Sequence, residues 1–428
     1  MKSGYVVLRN QNIKDGRLDL SEPSFTDEEH FKQRIRRMAP RPGDIVITRE
    51  APMGEVCKIP EGLTCCLGQR QVLLRPKADV DADYLLYALQ SPFVQNQVRW
   101  NEGTGSTVSN IRIPVLEKIE IPRHDQAETN IAKALGSLDS KIDLNRRINR
   151  TLEAMAQAIF KSWFIDFDPV KAKIAAIEQG EDPLRAAMRV ISGKTDAELG
   201  QMPREHHDQL ATTATLFPDA MEESELGGIP HGWSSGTLTD LCDLNLESWS
   251  AKTLPNAVRY VDLANTKRGE ITEVHSISGK NIPSRARRIL RLGDIIVGTV
   301  RPGNRSFALV GEAGLTGSTG FAALRPTTSY WLEFVYLVAT SENNFKRLAH
   351  LADGGAYPAV RPEVVVQEEV VIPAQTVAQA FHQHVQPLFA KILANRKSEK
   401  FLSELRDTLL PKLLSGELSV DALNEEYA

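Results

Sequence analysis

Apolar residues recur every three or four positions in two long stretches of the chain, and the two stretches match each other. The first stretch has apolar residues at Ile131, Leu135, Leu138, Ile142, Leu152, Ile159 and Trp163. The residues 250 positions later are Phe381, Val385, Leu388, Ile392, Leu402, Leu409 and Leu413. Such spacings place apolar side chains along one stripe of a helix, as in a coiled coil. The pattern therefore predicts two long helices with a common heptad register.

One asparagine interrupts each apolar stripe at the same position, Asn145 in KIDLNR (141–146) and Asn395 in KILANR (391–396). An asparagine on a coiled-coil seam weakens packing but fixes register, because any slip leaves its amide in an apolar layer. We therefore expect the helices to pair as an antiparallel coiled coil in which Asn145 and Asn395 fix the register. Two unrelated amphipathic helices are the alternative, but they do not explain the shared register.

Residues that disfavour helix also recur at matching positions, Gly136-Ser137 in one stretch and Gln386-Pro387 in the other. Proline removes a backbone donor inside a helix, and glycine raises the entropic cost of forming one. We therefore expect each helix to consist of a short piece followed by a long one.

Shorter segments before each helix have the composition of β-strands. GDIVIT (43–48) and GDIIVG (293–298) are β-branched runs that open at a Gly-Asp turn. YLLYALQS (84–91) and FVYLVATS (334–341) have the length and spacing of a short helix. These matches keep their order along the chain and most have one offset, so a strand-rich part and a long helix form a unit that is present twice.

The repeat predicts an α+β protein in which two similar globular domains are separated by two long paired helices, with pseudo-two-fold internal symmetry. The predicted boundaries are 1–122 for the first domain, 123–168 for the first helix region, 169–226 for an acidic connector, 227–373 for the second domain and 374–428 for the second helix region. Residues 171–230 carry 6 Lys/Arg against 11 Asp/Glu and have no clear apolar period. We expect an irregular connector there, in which SGKTDAEL (192–199) starts one short helix.

Composition narrows the class of protein. No run of about 18 apolar residues exists, so we expect no membrane span. The four cysteines, Cys57, Cys65, Cys66 and Cys242, have neither disulfide nor zinc spacing, which favours the cytoplasm. The net charge is −4, but the acidity is concentrated in residues 171–230, so the rest of the chain permits a nucleic-acid partner.

Catalytic and metal-binding motifs are not found. The glycine cluster GEAGLTGSTG (311–320) lacks the Gly-Lys-Ser/Thr ending of a phosphate-binding loop. We interpret His206-His207 and the pair His382 and His384 as surface residues rather than metal ligands. Asp139 and Lys141 resemble the end of a nuclease motif but lie on a predicted helix. We therefore expect no catalytic residue, no metal site and no cofactor in this chain.

Basic and amide side chains are concentrated before each Gly-Asp turn and in neighbouring loops. Arginine and lysine neutralise phosphates, and Arg, Asn and Gln can hydrogen-bond base edges. The candidate DNA-binding residues of the first domain are Arg9, Asn10, Gln11, Asn12, Arg34, Arg36, Arg37, Gln69, Arg70 and Gln71. Those of the second domain are Asn265, Lys267, Arg285, Arg287, Arg288, Arg301, Asn304 and Arg305. A merely solvated charged face is the alternative interpretation.

The chain resembles the specificity (S) subunit of type I restriction–modification systems over nearly its whole length. The residues that carry the resemblance are GSTVSNIRIPVLEKIEIP (105–122), FKSWFIDFDPVKAK (160–173) and LFPDAMEESELGGIPHGW (216–233). The resemblance implies two target-recognition domains, each of which reads one half of a split DNA sequence. It also implies that the long helices act as a spacer and help to dock two modification (M) subunits.

The resemblance further implies that other subunits carry the chemistry. In the family, M subunits bind S-adenosylmethionine and methylate adenine, and a restriction (R) subunit uses ATP. The expected partners are therefore double-stranded DNA, two M subunits and an R subunit, with S-adenosylmethionine, ATP and Mg²⁺ on the partners. We expect a cytoplasmic, non-catalytic subunit that has no membrane partner.

One departure from the family pattern concerns the first domain. Residues 229–259 precede Tyr260 in the second domain, whereas only MKSG precedes Tyr5. We therefore expect the first recognition domain to be shortened and to lack its opening strand. Two other functions remain open from the residues alone, a coiled-coil scaffold whose α+β domains bind proteins and a stand-alone enzyme.

Overall fold

A computed structural model describes residues 3–100, 110–352 and 358–420 of the chain. The chain divides into two compact units, one made of Met1–Arg147 with Asn395–Ala428 and the other of Ile148–Ala394. The opening residues of the stretch GSTVSNIRIPVLEKIEIP lie outside the described residues. The bounds of the five predicted regions stay predictions.

The first strand-rich part mixes sheet and helix, as predicted. Its strands are β1 (Tyr5–Leu8), β2 (Ile13–Lys14), β3 (Arg17–Leu18), β4 (Ser24–Thr26), β5 (Ile45–Arg49), β6 (Met53–Lys58), β7 (Cys65–Leu67) and β8 (Gln71–Leu74). Its helices are α1 (Glu28–Arg34), α2 (Ala82–Gln90), α3 (Pro92–Trp100) and α4 (Ile113–Leu116). One sheet has the order β4-β1-β7 with β1 parallel to β7, and an antiparallel sheet has the order β6-β5-β8.

Helices fill the segment that was predicted to be irregular. The long helix α5 (Glu128–Phe164) is followed by α6 (Asp168–Gln179), α7 (Pro183–Ser192), α8 (Asp196–Gly200) and α9 (Arg204–Thr215). The prediction of an irregular connector is therefore wrong, whereas the short helix predicted in SGKTDAEL is confirmed as α8.

Local capping explains these helices. At the start of α7, the Asp182 carboxylate accepts hydrogen bonds from the backbone N–H groups of Leu184 (2.9 Å) and Arg185 (3.2 Å). At α8, Thr195 and Glu198 form a capping box. The small core that the helices share contains Ala187, Met188, Leu199, Leu210 and Ala214. The helices have 5 to 12 residues, which is too short for an apolar period to stand out in the sequence.

The second strand-rich part completes the chain before its last helix. Its strands are β9 (Met221–Ser224), β10 (Gly227–Pro230), β11 (Ser234–Thr237), β12 (Cys242–Leu244), β13 (Ala257–Val261), β14 (Thr266–Lys267), β15 (Glu270–Ile271), β16 (His275–Ser278), β17 (Ala286–Leu290), β18 (Ile295–Gly298), β19 (Phe307–Leu309), β20 (Leu315–Ser318), β21 (Phe321–Pro326) and β22 (Glu369–Ile372). Its helices are α10 (Leu332–Ala339), α11 (Glu342–Ala352) and α12 (Pro362–Val366), and α13 (Gln375–Ser415) follows.

Corresponding strands of the two strand-rich parts have the same topology. Strand β13 lies antiparallel to β16 and parallel to β20, as β1 lies antiparallel to β4 and parallel to β7. Strand β18 lies between β19 and β21, as β5 lies between β6 and β8. In the second part β12 pairs with β21, β17 with β20 and β11 with β22. The internal repeat predicted from the sequence is thus confirmed at the level of topology.

The long helices pair antiparallel within each unit. In the first unit Arg146 Nε lies 3.2 Å from Glu399 Oε2, and Arg406 Nη1 lies 2.8 Å from Asp139 Oδ1. In the second unit the rings of Trp163 and His384 are 5.6 Å apart, and those of Phe164 and Phe381 are 4.9 Å apart. Residue numbers rise along one helix as they fall along the other, which confirms the predicted pairing.

Both long helices are continuous where breaks were expected. Helix α5 has 37 residues and passes through Gly136, and α13 has 41 residues and passes through Pro387. The predicted division into short and long pieces is therefore wrong. A proline in a helix interior costs about 3 kcal/mol, and burying Val385 and Phe389 on either side of Pro387 contributes about 1.5 to 3 kcal/mol each.

A short helix of each strand-rich part completes a three-helix core. In the first unit α2 contributes Tyr84, Tyr87 and Ala88, α5 contributes Ile131, Ala132 and Leu135, and α13 contributes Leu410, Leu413 and Leu414. In the second unit Phe334 of α10 contacts Phe160 of α5 at a centroid distance of 5.2 Å, and Phe160 contacts Phe381 of α13 at 6.0 Å. Each strand-rich part is therefore held on the helix pair by the same arrangement.

The asparagines of the two stripes are buried, with 3% of Asn145 and 4% of Asn395 exposed. Arg146 forms an ion pair with Glu399, so the neighbouring Asn145 lies opposite the helical turn that contains Glu399. Asn395 lies one turn earlier in α13, so the two asparagines are not directly opposite each other. Asn145 Nδ2 has no hydrogen-bond partner among the described residues. Their role in fixing register stays a prediction.

The side-chain amide of Asn145 is buried and its Nδ2 lacks a hydrogen-bond partner among the described residues, so it lowers the free energy of unfolding. We expect Asn145→Leu to raise the free energy of unfolding by about 1 kcal/mol, because an unpaired buried polar group costs about 1 to 3 kcal/mol. Asn145→Asp is the matched control and should lower it, since a carboxylate is costlier to bury. Urea titration followed by circular dichroism measures both, and equal destabilisation by the two changes would contradict the assignment.

Candidate nucleic-acid interface

Residues from three separate segments of the first domain line one surface pocket of about 550 Å³. The candidates that line it are Arg9, Asn10, Gln11, Arg34, Gln69 and Arg70. Strands β1 and β7 are parallel neighbours, so the loops that follow them emerge at the same edge of the sheet. The N–H of Gly68 donates to the carbonyl of Leu8 at 2.8 Å, which holds the two loops side by side.

Four side chains of the pocket are exposed to solvent. Arg9, Gln11, Gln69 and Arg70 are exposed, and Arg70 lies 3.8 Å from Glu50. Long polar side chains of this kind can donate to phosphates and to base edges. The pocket therefore combines positive charge with amide groups at one place.

Two anchored side chains complete the pocket wall. Arg34 donates to the carbonyl of Leu67 at 3.2 Å, and Asn10 donates to the carbonyls of Glu50 and Ala51. Their side chains are thus held in place before any ligand arrives.

Two of the candidates lie inside the domain instead of on its surface. Asn12 is 3% exposed, and its side chain accepts from the N–H of Arg9 and donates to the carbonyl of Asp19, both at 2.9 Å. Gln71 is 9% exposed and accepts from the N–H of Gly68 at 3.0 Å. These side chains hold the loops in place and do not present polar groups to solvent.

Two candidates lie outside the pocket on the surface of the first domain. Arg36 and Arg37 are exposed just after α1 and form no ion pair among the residues that the structure describes. The neighbouring Lys32 is paired with Glu28 at 2.7 Å. The positive charges of Arg36 and Arg37 are therefore not neutralised by an ion pair, unlike that of Lys32.

In the second domain the structure brings Asn265 and Arg285 together. The backbone N–H of Asn265 donates to Asp262 at 3.1 Å, and Arg285 lies 3.9 Å from the same carboxylate and donates to Tyr260 Oη at 3.1 Å. The amide of Asn265 is also 2.8 Å from His275 Nε2. The sequence alone did not single out His275, because its contact depends on the pairing of β13 with β16.

A second group forms around a tight turn. Arg301, Asn304 and Arg305 belong to a 3-10 turn whose two flanking arginines have positive φ values of 49° and 53°. Positive φ is unfavourable for a bulky residue and persists only where the surroundings impose it. The hairpin that carries Lys267 lies against this turn, since the N–H of Arg268 donates to the carbonyl of Arg305 at 2.9 Å.

Arg287 and Arg288 of β17, and Arg285 just before it, make different contacts. Arg288 Nη1 donates to Ser248 at 3.2 Å, and burial lowers the pKa of this guanidinium from its ordinary value. Arg287 makes a weak contact of 3.5 Å with the carbonyl of Ala286. Both side chains are half-buried, so they are less available than Arg285, which is exposed.

Sequence reasoning missed an ion pair that occurs in both domains. The Gly-Asp turns place Asp44 and Asp294 in the interior, and Arg75 and Arg325 each donate two hydrogen bonds to them at 2.7 to 2.8 Å. Burial raises the pKa of Asp44, but the hydrogen bonds from Arg75 outweigh this effect and hold that pKa below its ordinary value. The recurrence of Gly-Asp and of Leu-Arg-Pro at one offset was the signal that could have revealed the pair.

A second carboxylate extends this network in the second domain. Glu247 accepts from Arg291 at 2.7 and 2.9 Å and from Arg325 at 2.6 Å, and these contacts lower the pKa of Glu247 to about 2. Arg291 precedes the Gly-Asp turn but is neutralised in this way. The network fixes the turn and leaves Arg285 as the exposed cation nearby.

The described residues contain no group of three or more His, Cys, Asp and Glu side chains placed to hold a metal ion. His382 contacts the buried Glu333 at 2.6 Å, so it is half-buried in the fold and not a purely surface residue as expected. Asp139, which resembles part of a nuclease motif, is engaged by Arg17, Tyr87 and Arg406. In the part of the chain that the structure describes, no helix is long and apolar enough to cross a membrane.

Comparison with known proteins identifies the family. The family model of the type I restriction modification DNA specificity domain matches residues 2–154 of this sequence. The type I restriction enzyme HindI specificity subunit of Haemophilus influenzae is 31% identical over 340 residues, which cover 74% of this chain and 71% of the relative. This chain belongs to the family of type I restriction enzyme specificity subunits.

Further relatives have the same description. The type I restriction enzyme MjaIX specificity subunit of Methanocaldococcus jannaschii is 26% identical over 408 residues, covering 92% of this chain and 82% of the relative. The solved type I restriction–modification S subunit of M. genitalium is 15% identical, with a TM-score of 0.48 and coverage of 96% of this chain and 92% of that one. The family model and the two sequence relatives confirm the predicted resemblance, and the protein-binding scaffold is not favoured.

The buried Asp44–Arg75 pair leads to a prediction for stability. We expect Asp44→Asn to lower the free energy of unfolding by about 2 kcal/mol near pH 7, because Arg75 loses the charged acceptor of its two hydrogen bonds, and a hydrogen bond to a charged group contributes about 1.5 to 3 kcal/mol. Since the folded pKa of Asp44 is depressed, this stabilisation is present above about pH 4, the carboxyl pKa of an unfolded chain. It is lost as the pH falls through the lower folded value.

Denaturant titration of wild type and Asp44→Asn at neutral and acidic pH measures this effect. The exposed Asp79→Asn is the control and should change stability by less than about 0.5 kcal/mol. A difference between wild type and Asp44→Asn that stays constant into acid would argue against the ion pair.

Proposed function

We propose that this chain is the DNA sequence-recognition subunit of a type I restriction–modification complex. It reads a bipartite DNA site with its two strand-rich domains and docks the methyltransferase subunits. The observation that carries this proposal is the pocket of the first domain, where arginine and amide side chains from three segments converge. Family membership gives the complex in which such a pocket acts.

The same proposal assigns the chemistry to partner subunits. The chain is non-catalytic, and S-adenosylmethionine, ATP and Mg²⁺ belong to the methyltransferase and restriction subunits. The complex acts on double-stranded DNA in the cytoplasm.

The side chains of the pocket have different expected roles. Gln69 is exposed beside Arg70 on the loop after β7, and an amide can form two hydrogen bonds to adenine. Arg36 and Arg37 lie outside the pocket and are suited to phosphate contact, which adds affinity without sequence information. Changes at the two places therefore have different consequences.

Substitution of Gln69 tests the reading role. In cells that express the chain with its methyltransferase subunit, mapping of methyladenine should give a split motif. We expect Gln69→Ala to relax or change the bases in one half of that motif and to leave the other half unchanged, since one base contact is worth about 1 to 3 kcal/mol. Arg204→Ala on α9, whose side chain is exposed, is the control and should leave the motif intact. The proposal fails if wild type methylates no split motif.

Substitution of Arg36 and Arg37 tests phosphate contact. We expect the double change to Ala to weaken DNA binding by the methyltransferase complex for every sequence and to leave the motif unchanged. The slope of log affinity against log salt should become shallower by about 1.8, since each phosphate contact contributes about 0.9. Fluorescence anisotropy over a salt series measures the slope. An altered motif would instead place these residues at base edges.

A further inference from the structure

The loop after β13 in the second domain matches the loop after β1 in the first. Val7 of β1 corresponds to Tyr260 of β13, because their partners in β7 and β20 lie 250 residues apart in the sequence. Asn12 follows Val7 by five residues, and Asn265 follows Tyr260 by five residues. The two asparagines therefore occupy the same position of the repeat.

In the first domain the side chain of Asn12 holds its own loop in place. Its Oδ1 accepts from the backbone N–H of Arg9 at 2.9 Å. Its Nδ2 donates to the carbonyls of Asp19 at 2.9 Å and of Glu22 at 3.4 Å. The side chain is buried, so both polar atoms of this amide are occupied inside the fold.

In the second domain an aspartate holds the matching loop. Asp262 stands at the position of Arg9, and its carboxylate accepts from the backbone N–H of Asn265 at 3.1 Å. The side chain of Asn265 is half-buried, and its Oδ1 has no hydrogen-bond partner among the described residues and is not an enclosed atom. The amide of Asn265 is therefore available to a ligand, unlike that of Asn12.

His275 determines which polar atom of the Asn265 amide is available. The Nδ1 atom of His275 lies 3.3 Å from the Glu273 carboxylate, which can only accept a hydrogen bond, so the proton of the neutral ring belongs on Nδ1. The Nε2 atom is then an acceptor, and Asn265 Nδ2 donates to it at 2.8 Å. Oδ1 is thus the atom that Asn265 offers to a ligand.

Arg285 supplies a donor beside this acceptor. Its guanidinium lies 3.9 Å from Asp262, and 63% of its side chain is exposed. The carbonyl of Arg285 accepts at 2.8 Å from the N–H of Thr319, which follows β20 as Gln69 follows β7. The site therefore lies at the sheet edge that has the arginine and amide pocket in the first domain.

We propose that His275 is a positioning residue for base reading, which holds the Asn265 amide so that Oδ1 accepts from the exocyclic amino group of adenine or cytosine. In the major groove these amino groups are donors, whereas guanine O6 and thymine O4 are acceptors and would repel Oδ1. Arg285 donates to a neighbouring acceptor on the DNA. This inference rests on the proposed function and names the chemistry that the second domain selects.

Protonation of His275 reverses the amide. A histidine ring takes up its second proton between about pH 8 and pH 5 and then donates from both nitrogens. Oδ1 of Asn265 then turns to the ring and Nδ2 turns to the ligand, so the preference for an amino group weakens as the pH falls. The ionisable groups around the ring are Glu273 next to it, Tyr260 opposite it on β13, and Asp262 and Arg285 beyond Asn265.

Competition binding by the methyltransferase complex that contains the full chain tests the inference. Each base pair of the mapped wild-type motif is replaced in turn, and Asn265→Ala identifies the base pair that Asn265 reads. At about pH 8 we expect wild type to prefer its own base pair there by at least about tenfold, and at about pH 6 by less than about threefold.

Variants at position 275 separate orientation of the amide from stability of the domain. His275→Ala should lose the preference at the same base pair as Asn265→Ala, and the double variant should lose no more than Asn265→Ala, because both residues act through one amide. His275→Gln does not titrate, and its carbonyl can accept from Asn265, so it should keep the preference at both pH values.

His231→Ala is the matched control. His231 also pairs with a glutamate, Glu222 at 2.8 Å, but beside the β9–β10 hairpin, so its loss should change neither the preference nor its pH dependence. The variants should bind unrelated DNA as wild type does. If His275→Ala melts earlier than wild type, the comparison of wild type with His275→Gln at the two pH values decides.

Three outcomes would overturn the inference. Full preference in His275→Ala or in Asn265→Ala would show that this amide reads no base. Losses at two different base pairs, or additive losses in the double variant, would show that the two residues act independently. A pH dependence that persists in His275→Gln would come from another group. Absence of any split motif in wild type would instead refute the proposed function.

Discussion

The structure of each unit depends on one constraint, burial of the apolar stripes of α5 and α13 against a short helix of the strand-rich part. The helix pair alone would leave one face of each stripe uncovered, and α2 or α10 supplies the missing layer. Tyr84 and Phe334 occupy equivalent positions in these layers and are almost fully buried. Aromatic side chains bury about 150 to 250 Å² each, so this layer is a large share of what joins each strand-rich part to the helices.

The helix layers of the two units have the same geometry, but their side chains differ in polarity. In the first unit Asp139 lies between Arg17, Tyr87 and Arg406, and burial together with this carboxylate raises the pKa of the Tyr87 hydroxyl. The residue 250 positions after Asp139 is Phe389, whose ring lies 5.1 Å from that of Tyr336. A buried polar cluster of this kind stabilises little in itself, but it tolerates few alternative arrangements. The first unit is therefore specified by directional bonds where the second relies on packing.

Sequence patterns predicted the features that depend on repetition. The heptad stripes located both long helices, and the common offset predicted that two α+β parts share one topology. The continuity of α13 through Pro387 could not be read from the sequence, because it depends on how much apolar surface its neighbours bury. The helices α6, α7 and α9 were missed since each is too short to show a period, although Asp182, the capping residue of α7, was visible.

The sequence predicted which residue types form the candidate interface, but it did not predict how the fold brings them together. Six polar residues of three segments meet because β1 and β7 are parallel neighbours, and no local pattern indicates that pairing. Asn12 and Gln71 have the same chemistry as Asn10 and Gln69, yet they lie on the inner side of their loops. Base-reading ability depends on which way a side chain faces, and the sequence of a short loop does not give that direction.

The repeat also separates what is common to the two domains from what differs. The Gly-Asp turns and their arginine partners recur in both, because any change there would leave a buried charge unpaired. Loops at the same positions are not kept, and Gly68-Gln69-Arg70 corresponds to Ser318-Thr319-Gly320. Likewise Ala51 corresponds to Arg301, so at this position the second domain has a positively charged side chain and the first domain has none. Two frameworks that are alike thus present different donors and acceptors, which is the physical requirement for reading two unlike half-sites.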